Sequence, residues 1–259
     1  MAEIAGLNEI RKKYRMTADY HTHTVYSKVG PYYHGKGEVA DNVSAAAMLG
    51  LKEIAITDHG PSDIYGLRMR HFDRIRADVD AAALLHPEMS VLLGIEADLK
   101  NTSNGLDITC EEAARFDIVN AGYHISVPGC RAPQSIISTR IGAPAGSLEK
   151  LRAFNTGLAL RALYSNNIRV LTHPGDKGPF DMRELCRACE ETGTWMEISS
   201  RHTHMTVSEL KISFDYDVRY VISSDAHKPS QVGMYETGLK RALEAGVPLD
   251  RIVNIVEVE

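Results

Sequence analysis

The chain predicts an α/β fold in which seven parallel strands, each followed by a crossover, close or nearly close into a barrel. Three observations predict it. Short β-branched or apolar runs alternate with longer segments of helical period along the chain. Seven such runs can be counted, which favours a barrel over an open sheet. The 259 residues contain no low-complexity stretch, charge block or obvious linker, and α/β barrels of this length commonly form one domain.

The elements follow in order. Residues 17–21 read as the first strand, and a helix over about 38–49 is ended by Gly50. The second strand is 53–57, followed by a helix over about 72–85. The third is 90–95 and the fourth 116–121. A helix over about 147–165 leads to the fifth strand, 168–172. Asp181 caps a helix to Thr192 and Gly193 stops it before strand six, 194–198. Strand seven is 219–223, with a last helix over about 231–245. Two connections are long, 98–109 and 126–146; they are functional lids, binding loops or surface insertions.

Composition narrows the functional classes. A hydrophobic content of 44% with 24% charged residues is that of a soluble globular chain and excludes disorder as the main state. No apolar run approaches the roughly 18 residues of a membrane span, and the charged segment 1–16 lacks the apolar centre of a secretory signal. Cys110, Cys130, Cys186 and Cys189 are too scattered for a disulfide framework, so a reducing, cytoplasmic setting is expected. Cys186 and Cys189 fall within a helix with no second thiol pair, which argues against zinc. The net charge of −5 disfavours a protein that binds nucleic acid through a basic face, though not a nuclease that takes its positive charge from metals.

The eleven histidines carry the functional argument. Chemistry in a βα barrel is built where the C-terminal strand ends converge. Those positions hold His21 and His23 after strand one, His59 after two, Glu96 after three, His124 after four, His173 after five, and Asp225 with His227 after seven. One histidine at a strand end is usually just a satisfied polar residue. His21-x-His23 is different, because residues i and i+2 of an extended segment point the same way and can clamp one ion. Asp225-x-His227 repeats that geometry with an oxygen donor. Mixed nitrogen and oxygen donors without thiolate suit Zn, Mn or Fe. With His34, in the Gly-rich loop 30–37, the donors number nine, enough for two or three divalent ions. Asp19 and Asp58 are expected to accept ring N–H groups and fix imidazole tautomers.

The motifs Asp19-Tyr-His-Thr-His23, Ile56-Thr-Asp-His-Gly60, Gly94-Ile-Glu96, Tyr123-His124, Thr172-His-Pro174 and Ser224-Asp-Ala-His227 run in order from about residue 17 to 235. In them the chain resembles the polymerase and histidinol phosphatase (PHP) family of metal-dependent phosphoesterases, and within it the stand-alone bacterial phosphatases. The resemblance implies a distorted (β/α)7 TIM-like barrel, residues 1–259 forming one domain. Its core spans about 17–245, and segments 1–16 and 246–259 pack on it. It also implies a trinuclear site. His21, His23, Glu96 and Asp225 would hold one metal. Glu96 would bridge to a second held by His124 and His173, and His34, His59 and His227 would hold the third. Catalysis would run through a metal-bridging water set among Glu96, His124 and Asp225.

Arg201 and His202 are the better candidates for binding the substrate phosphate, with Lys228 and Lys177 weaker ones that serve equally well as solvated loop charge. Glu197, inside strand six, is a candidate interior carboxylate. His71, His86 and His204 read as surface or cap residues, and Arg68, Arg70, Arg131 and Arg140 as possible substrate rim. The favoured activity is hydrolysis of a phosphomonoester of a small metabolite, such as histidinol phosphate or a nucleotide. The alternatives are a phosphodiesterase or exonuclease acting on nucleic-acid ends, a metal-holding interaction module without catalysis, and an amidohydrolase. The last is disfavoured because strand four ends in Gly122-Tyr-His124 rather than in a bridging lysine.

Overall fold

The computed structural model describes residues 2–142 and 144–258, with the backbone alone for 2–5, 139–141 and 145. Helix α1 (Ala2–Lys13) and strand β1 (Tyr14–Met16) lead into β2 (Ala18–Asp19) and a small hairpin, β3 (Lys28–Val29) with β4 (Tyr32–Tyr33). Then come α2 (Val39–Met48), β5 (Glu53–Ile56), α3 (Phe72–Leu85), β6 (Ser90–Asp98), α4 (Cys110–Ala113) and β7 (Ile118–Gly122). The second half runs α5 (Ala132–Ile141), α6 (Ala145–Ser165), β8 (Val170–Leu171), α7 (Met182–Thr192), β9 (Trp195–Ser199), α8 (Val207–Ile212), β10 (Tyr220–Ser223), α9 (Glu236–Ala245) and β11 (Ile255–Glu257).

Strands β2, β5, β6, β7, β8, β9 and β10 form one sheet in sequence order, every neighbouring pair parallel. These are the seven predicted strands, and the architecture is a nearly closed α/β barrel. Its seam lies between β2 and β10. At the mouth, Thr22 and Ala226 form an isolated parallel bridge: His23 N donates to Ala226 O at 2.8 Å and Ala226 N to His21 O at 3.3 Å. Further down, where β2 and β10 do not pair, the buried Asn254 fills the gap. Its Nδ2 donates to Ala18 O (2.7 Å) and Ile222 O (2.6 Å), and its Oδ1 accepts from Ile222 N (3.0 Å). The two terminal segments pair with each other, β1 antiparallel to β11, and Tyr235 donates from its hydroxyl to Tyr14 O at 2.6 Å.

Asn254→Leu keeps the volume of that side chain but leaves two carbonyls and an N–H buried without partners. It is expected to cost about 3 kcal/mol and to lower Tm by roughly 6–12 °C. A calorimetric loss below about 1 kcal/mol would show that the seam does not depend on it.

Several boundaries differ from the sequence reading, each for a local reason. Strand β6 continues to Asp98, because Asp98 N bonds the Asp107 carboxylate and Leu99 N bonds Gly122 O, so pairing outlasts the apolar run. The connection 126–146 contains α5 and the start of α6, begun at Pro133 and Pro144. Before α9, residues 229–231 form a separate 3-10 turn, so the last helix is shorter than its periodicity. Helix α7 is as read: Asp181 accepts from Arg183 N and Glu184 N, and Gly193 takes φ 71°. Cys186 and Cys189 face the core from α7, and burial pushes the Cys186 thiol up to about 12.

Candidate metal centre

The bridge that closes the barrel builds the centre. Thr22 and Ala226 are the middle residues of His21-x-His23 and Asp225-x-His227, so pairing them across the seam sets four donors face to face. His23 Nε2 lies 3.1 Å from His21 Nε2 and 3.1 Å from Asp225 Oδ1. A second isolated bridge, His59 with Glu96, brings the end of β5 beside β6. His173 and Asp225 are the only non-glycine residues with positive φ among the described residues, at 29° and 50°. Such strain persists where the surroundings over-determine it.

Glu96 sits at the middle with its two oxygens facing different neighbours. Its Oε2 is 3.0 Å from His59 Nδ1, 3.2 Å from His21 Nε2 and 3.7 Å from His23 Nε2. Its Oε1 is 3.0 Å from His173 Nε2 and 3.4 Å from His124 Nε2, and accepts from Thr172 Oγ1 at 2.7 Å. Gly122 makes room for this. A Cβ there would stand 2.6 Å from Glu96 Oε1 and 2.7 Å from both His124 Cε1 and Thr172 Oγ1.

The groups that bring three donor atoms within 4.8 Å of one another are His23, His59, His227; His21, His23, Glu96; His59, Asp63, His124; Glu96, His124, His173; and His173, His202, Asp225. Eight of the nine predicted ligands are buried and belong to them. The ninth, His34, is half-buried. Its ring lies 4.4 Å from that of His227, 5.4 Å from His59 and stacks on Tyr65 at 4.4 Å, but its nitrogens join none of the groups. The donor set fits divalent ions on one further observation. Among the described residues, His23 Nδ1 and His227 Nε2 are buried without any hydrogen-bond partner, and His59 Nδ1 and Glu96 Oε2 face each other at 3.0 Å without hydrogen-bond geometry. Orphaned buried polar atoms are costly unless something else meets them.

Outer carboxylates fix the rings, though not the expected ones. Glu197 lies 2.7 Å from His21 Nδ1 and accepts from His173 N at 2.6 Å, so the interior carboxylate of strand six supports two donors. Asp98 lies 2.6 Å from His124 Nδ1. It was readable as Glu96+2 on one strand face, a signal hidden by the assignment of 98–109 to a loop. Asp19 and Asp58 touch no ring. Asp19 accepts from Ser224 Oγ, Ser224 N and Gly233 N, and Asp58 from Thr24 N, Thr24 Oγ1 and Ser27 Oγ. Both pin backbone behind the candidate ligands, Asp19 at Ser224 and Gly233 and Asp58 at Thr24. Asp63 and Asp176, in loops, carried no sequence signal.

Among the phosphate candidates, His202 is drawn in: its Nε2 is 3.0 Å from Asp225 Oδ2 and its Nδ1 3.1 Å from Asp176 Oδ2. Burial opposes its charge, but the two carboxylates raise it to about 9. Arg201 Nε approaches Asp225 Oδ2 at 3.7 Å. Lys228 is exposed and forms no ion pair among the described residues, and Lys177 pairs with Asp176. Of the rim candidates, Arg68 donates to Pro61 O and Arg131 packs on Phe154, while the side chain of Arg140 lies outside the described residues. His86 and His204 contact Glu88 and Glu209.

Without metal the imidazoles divide into two sets. Burial lowers His23 and His173, takes His34 down to about 4 and His227 to about 3, with neighbouring histidines or Arg201 adding to it. These four are neutral and ready to ligate. Burial also opposes charge on His21 and His124, but Glu96 with Glu197 and Asp225 outweighs it for the first, and Glu96 with Asp98 for the second. A ligating nitrogen cannot keep its proton, so metal uptake competes with the charge favoured on His21 and His124, and affinity rises with pH. Calorimetry of demetallated protein in buffers of different ionisation enthalpy is expected to show net proton release on metal uptake; zero release would contradict this assignment.

Comparisons with known proteins converge on the same barrel. Residues 19–182 match the model of the PHP domain family. A probable phosphatase of Proteus mirabilis (strain HI4320) is 27% identical over 245 residues, covering 91% of this chain and 89% of that one. Another from Shewanella sediminis (strain HAW-EB3) is 28% identical, covering 91% and 88%. In structure, the chain resembles histidinol phosphate phosphatase from Lactococcus lactis subsp. lactis Il1403, solved with zinc, L-histidinol and phosphate. The TM-score is 0.59 at 15% identity, over 89% of this chain and 94% of that one, which is a likeness of fold. With the family model matched over more than half of its length, the chain belongs to the PHP domain family and is a metal-dependent phosphoesterase.

Proposed function

We propose that the chain, acting as one domain, hydrolyses a phosphomonoester of a small metabolite at two or three divalent ions (Zn, Mn or Fe) held at the barrel mouth. The observation that carries this reading is Glu96, whose two oxygens face separate imidazole groups and so suit a carboxylate shared between ions. His21, His23 and Asp225 would hold one ion with Glu96, and His124 and His173 another. His59 and His227 would hold a third, with His34 completing it after a small movement of the 30–37 loop. Bound there, the cations would neutralise the phosphate dianion and make a water acidic enough to attack near neutral pH.

The remaining work falls to the chain itself. Glu197 and Asp98 hold the His21 and His124 rings by their Nδ1 atoms, leaving Nε2 of each to face Glu96. Arg201, at the open edge of the site, offers a planar fork to phosphate oxygens. His202, hydrogen-bonded to Asp225 and Asp176, presents a cationic ring beside the same position and favours an anionic ligand. Histidinol phosphate is one candidate, since the Lactococcus lactis structure holds L-histidinol and phosphate on a related barrel.

The test pairs elemental analysis of the purified protein with a phosphate-release screen over phosphomonoesters and short oligonucleotides. Two or three equivalents of metal with release from small monoesters is expected, and chelation should abolish turnover until Zn, Mn or Fe is restored. Release confined to oligonucleotide ends would favour the exonuclease alternative, and metal-loaded protein inert on every ester would overturn the assignment.

A further inference from the structure

A second cationic feature lies outside the ligand cluster. Between the β3–β4 hairpin and the start of α3 is a cleft of about 290 Å³ lined by Tyr26, Lys28, Arg68, Arg70, His71 and Arg74. None of the four Lys and Arg residues forms an ion pair among the described residues, in a chain whose net charge is −5. Nearby, Asp73 pairs with Arg115 at 3.1 Å, while Asp78 accepts from Tyr26 Oη at 2.6 Å and keeps its charge, so the cations stay in excess without being fully balanced. The 3-10 turn Met69–His71 carries Arg70 and His71 straight into α3, whose first turn adds Arg74 to the same wall. Burial and then Arg70, Lys28 and Arg74 lower the His71 imidazole, in keeping with an excess of cations around it. Unpaired like charges repel, and an anion in the cleft relieves them.

Both walls are tied to the metal centre. Leu67, between Gly66 and Arg68, donates its N–H to His59 O at 2.8 Å, and His34 N donates to Ser27 O at 2.8 Å. Gly66 is pressed so closely on Gly60 that a Cβ would stand 1.8 Å from the Gly60 carbonyl oxygen. One wall is therefore a single residue from a chain bonded to His59, and the other a single residue from Ser27, which is bonded to His34. These bonds put the cleft beside the centre.

We propose that this cleft binds a second phosphate group of the substrate, so that the preferred substrates are small molecules carrying another phosphate besides the one hydrolysed. The proposal rests on the phosphomonoesterase reading above and narrows its substrate class. Two anchors on one molecule gain affinity because the second binding step is intramolecular.

The experiment is titration calorimetry of metal-loaded protein with alkylphosphonates and α,ω-alkane bisphosphonates of graded length, whose P–C bonds resist hydrolysis. The best bisphosphonate is expected to bind at least about tenfold tighter than the matched monophosphonate, with an optimum in spacer length. The double substitution Lys28→Gln with Arg74→Gln should erase that advantage and leave monophosphonate affinity within about twofold; Arg70→Gln alone should weaken only the bisphosphonate. The proposal is overturned if length has no effect, if both ligands lose equally, or if inorganic phosphate fills the cleft as tightly as the bisphosphonate's second group. Failure of the phosphomonoesterase reading would look different: no monophosphonate binding, and no phosphate release from any ester.

Discussion

Glu96→Gln is expected to leave at most about one ion in the purified protein and to lower kcat/KM by at least about a thousandfold. The carboxamide keeps the shape of the side chain but removes the charge, and it turns one oxygen into a nitrogen that repels a cation. Glu96 is fully buried, and its oxygens lie within 3.7 Å of five imidazoles that follow strands from both halves of the barrel. The substitution therefore damages two ion positions at once, unlike one at His227 or His173. Elemental analysis beside steady-state kinetics reads the result, and a variant with full metal content and turnover would remove Glu96 from the centre. The barrel itself should survive, since β6 is held by backbone pairing to β5 and β7.

Gly122→Ala is expected to disable the centre without touching a donor. The new methyl group would lie 2.6–2.7 Å from Glu96 Oε1, His124 Cε1 and Thr172 Oγ1, and all three are fixed by hydrogen bonds of their own. Overpacking of this kind costs about 1–3 kcal/mol, roughly 2–12 °C in Tm for a chain of this size. The larger effect is on the ions: tilting Glu96 and His124 together should weaken metal affinity by at least about a hundredfold. Gly157→Ala is the control. It lies inside α6 with nothing within 4 Å of an added Cβ, and should stabilise by about 0.5–1 kcal/mol with metal content unchanged. Equal metal affinity in the Gly122 variant and the parent would show that the ligand shell tolerates the methyl group.

The barrel was legible because strand pleat and helix turn write their periods into neighbouring residues. The rhythm of apolar runs placed all seven strands in order, and the capping chemistry of Asp181 and Gly193 located α7 to the residue. Strand ends were harder. Asp98 belongs to β6 through bonds to Asp107 and Gly122 that no local pattern announces, so its bond to His124 went unread. The 126–146 connection concealed α5 because its prolines and glycines are turn formers as well as helix starters.

The residue order alone determined the donor chemistry: imidazoles and carboxylates at converging strand ends, with two x-spaced pairs whose shared direction follows from extended backbone. The tertiary structure decided how those donors meet. It set Thr22 against Ala226 so that the two pairs face each other, and gave each Glu96 oxygen its own set of rings. It assigned ring support to Glu197 and Asp98 rather than Asp19 and Asp58, and placed Asn254 in the seam. The reason is one of range. Side-chain direction along a strand is set by the residues on either side, whereas which atoms meet at about 3 Å across the mouth depends on the register of segments about two hundred residues apart, and only the closed barrel fixes that register.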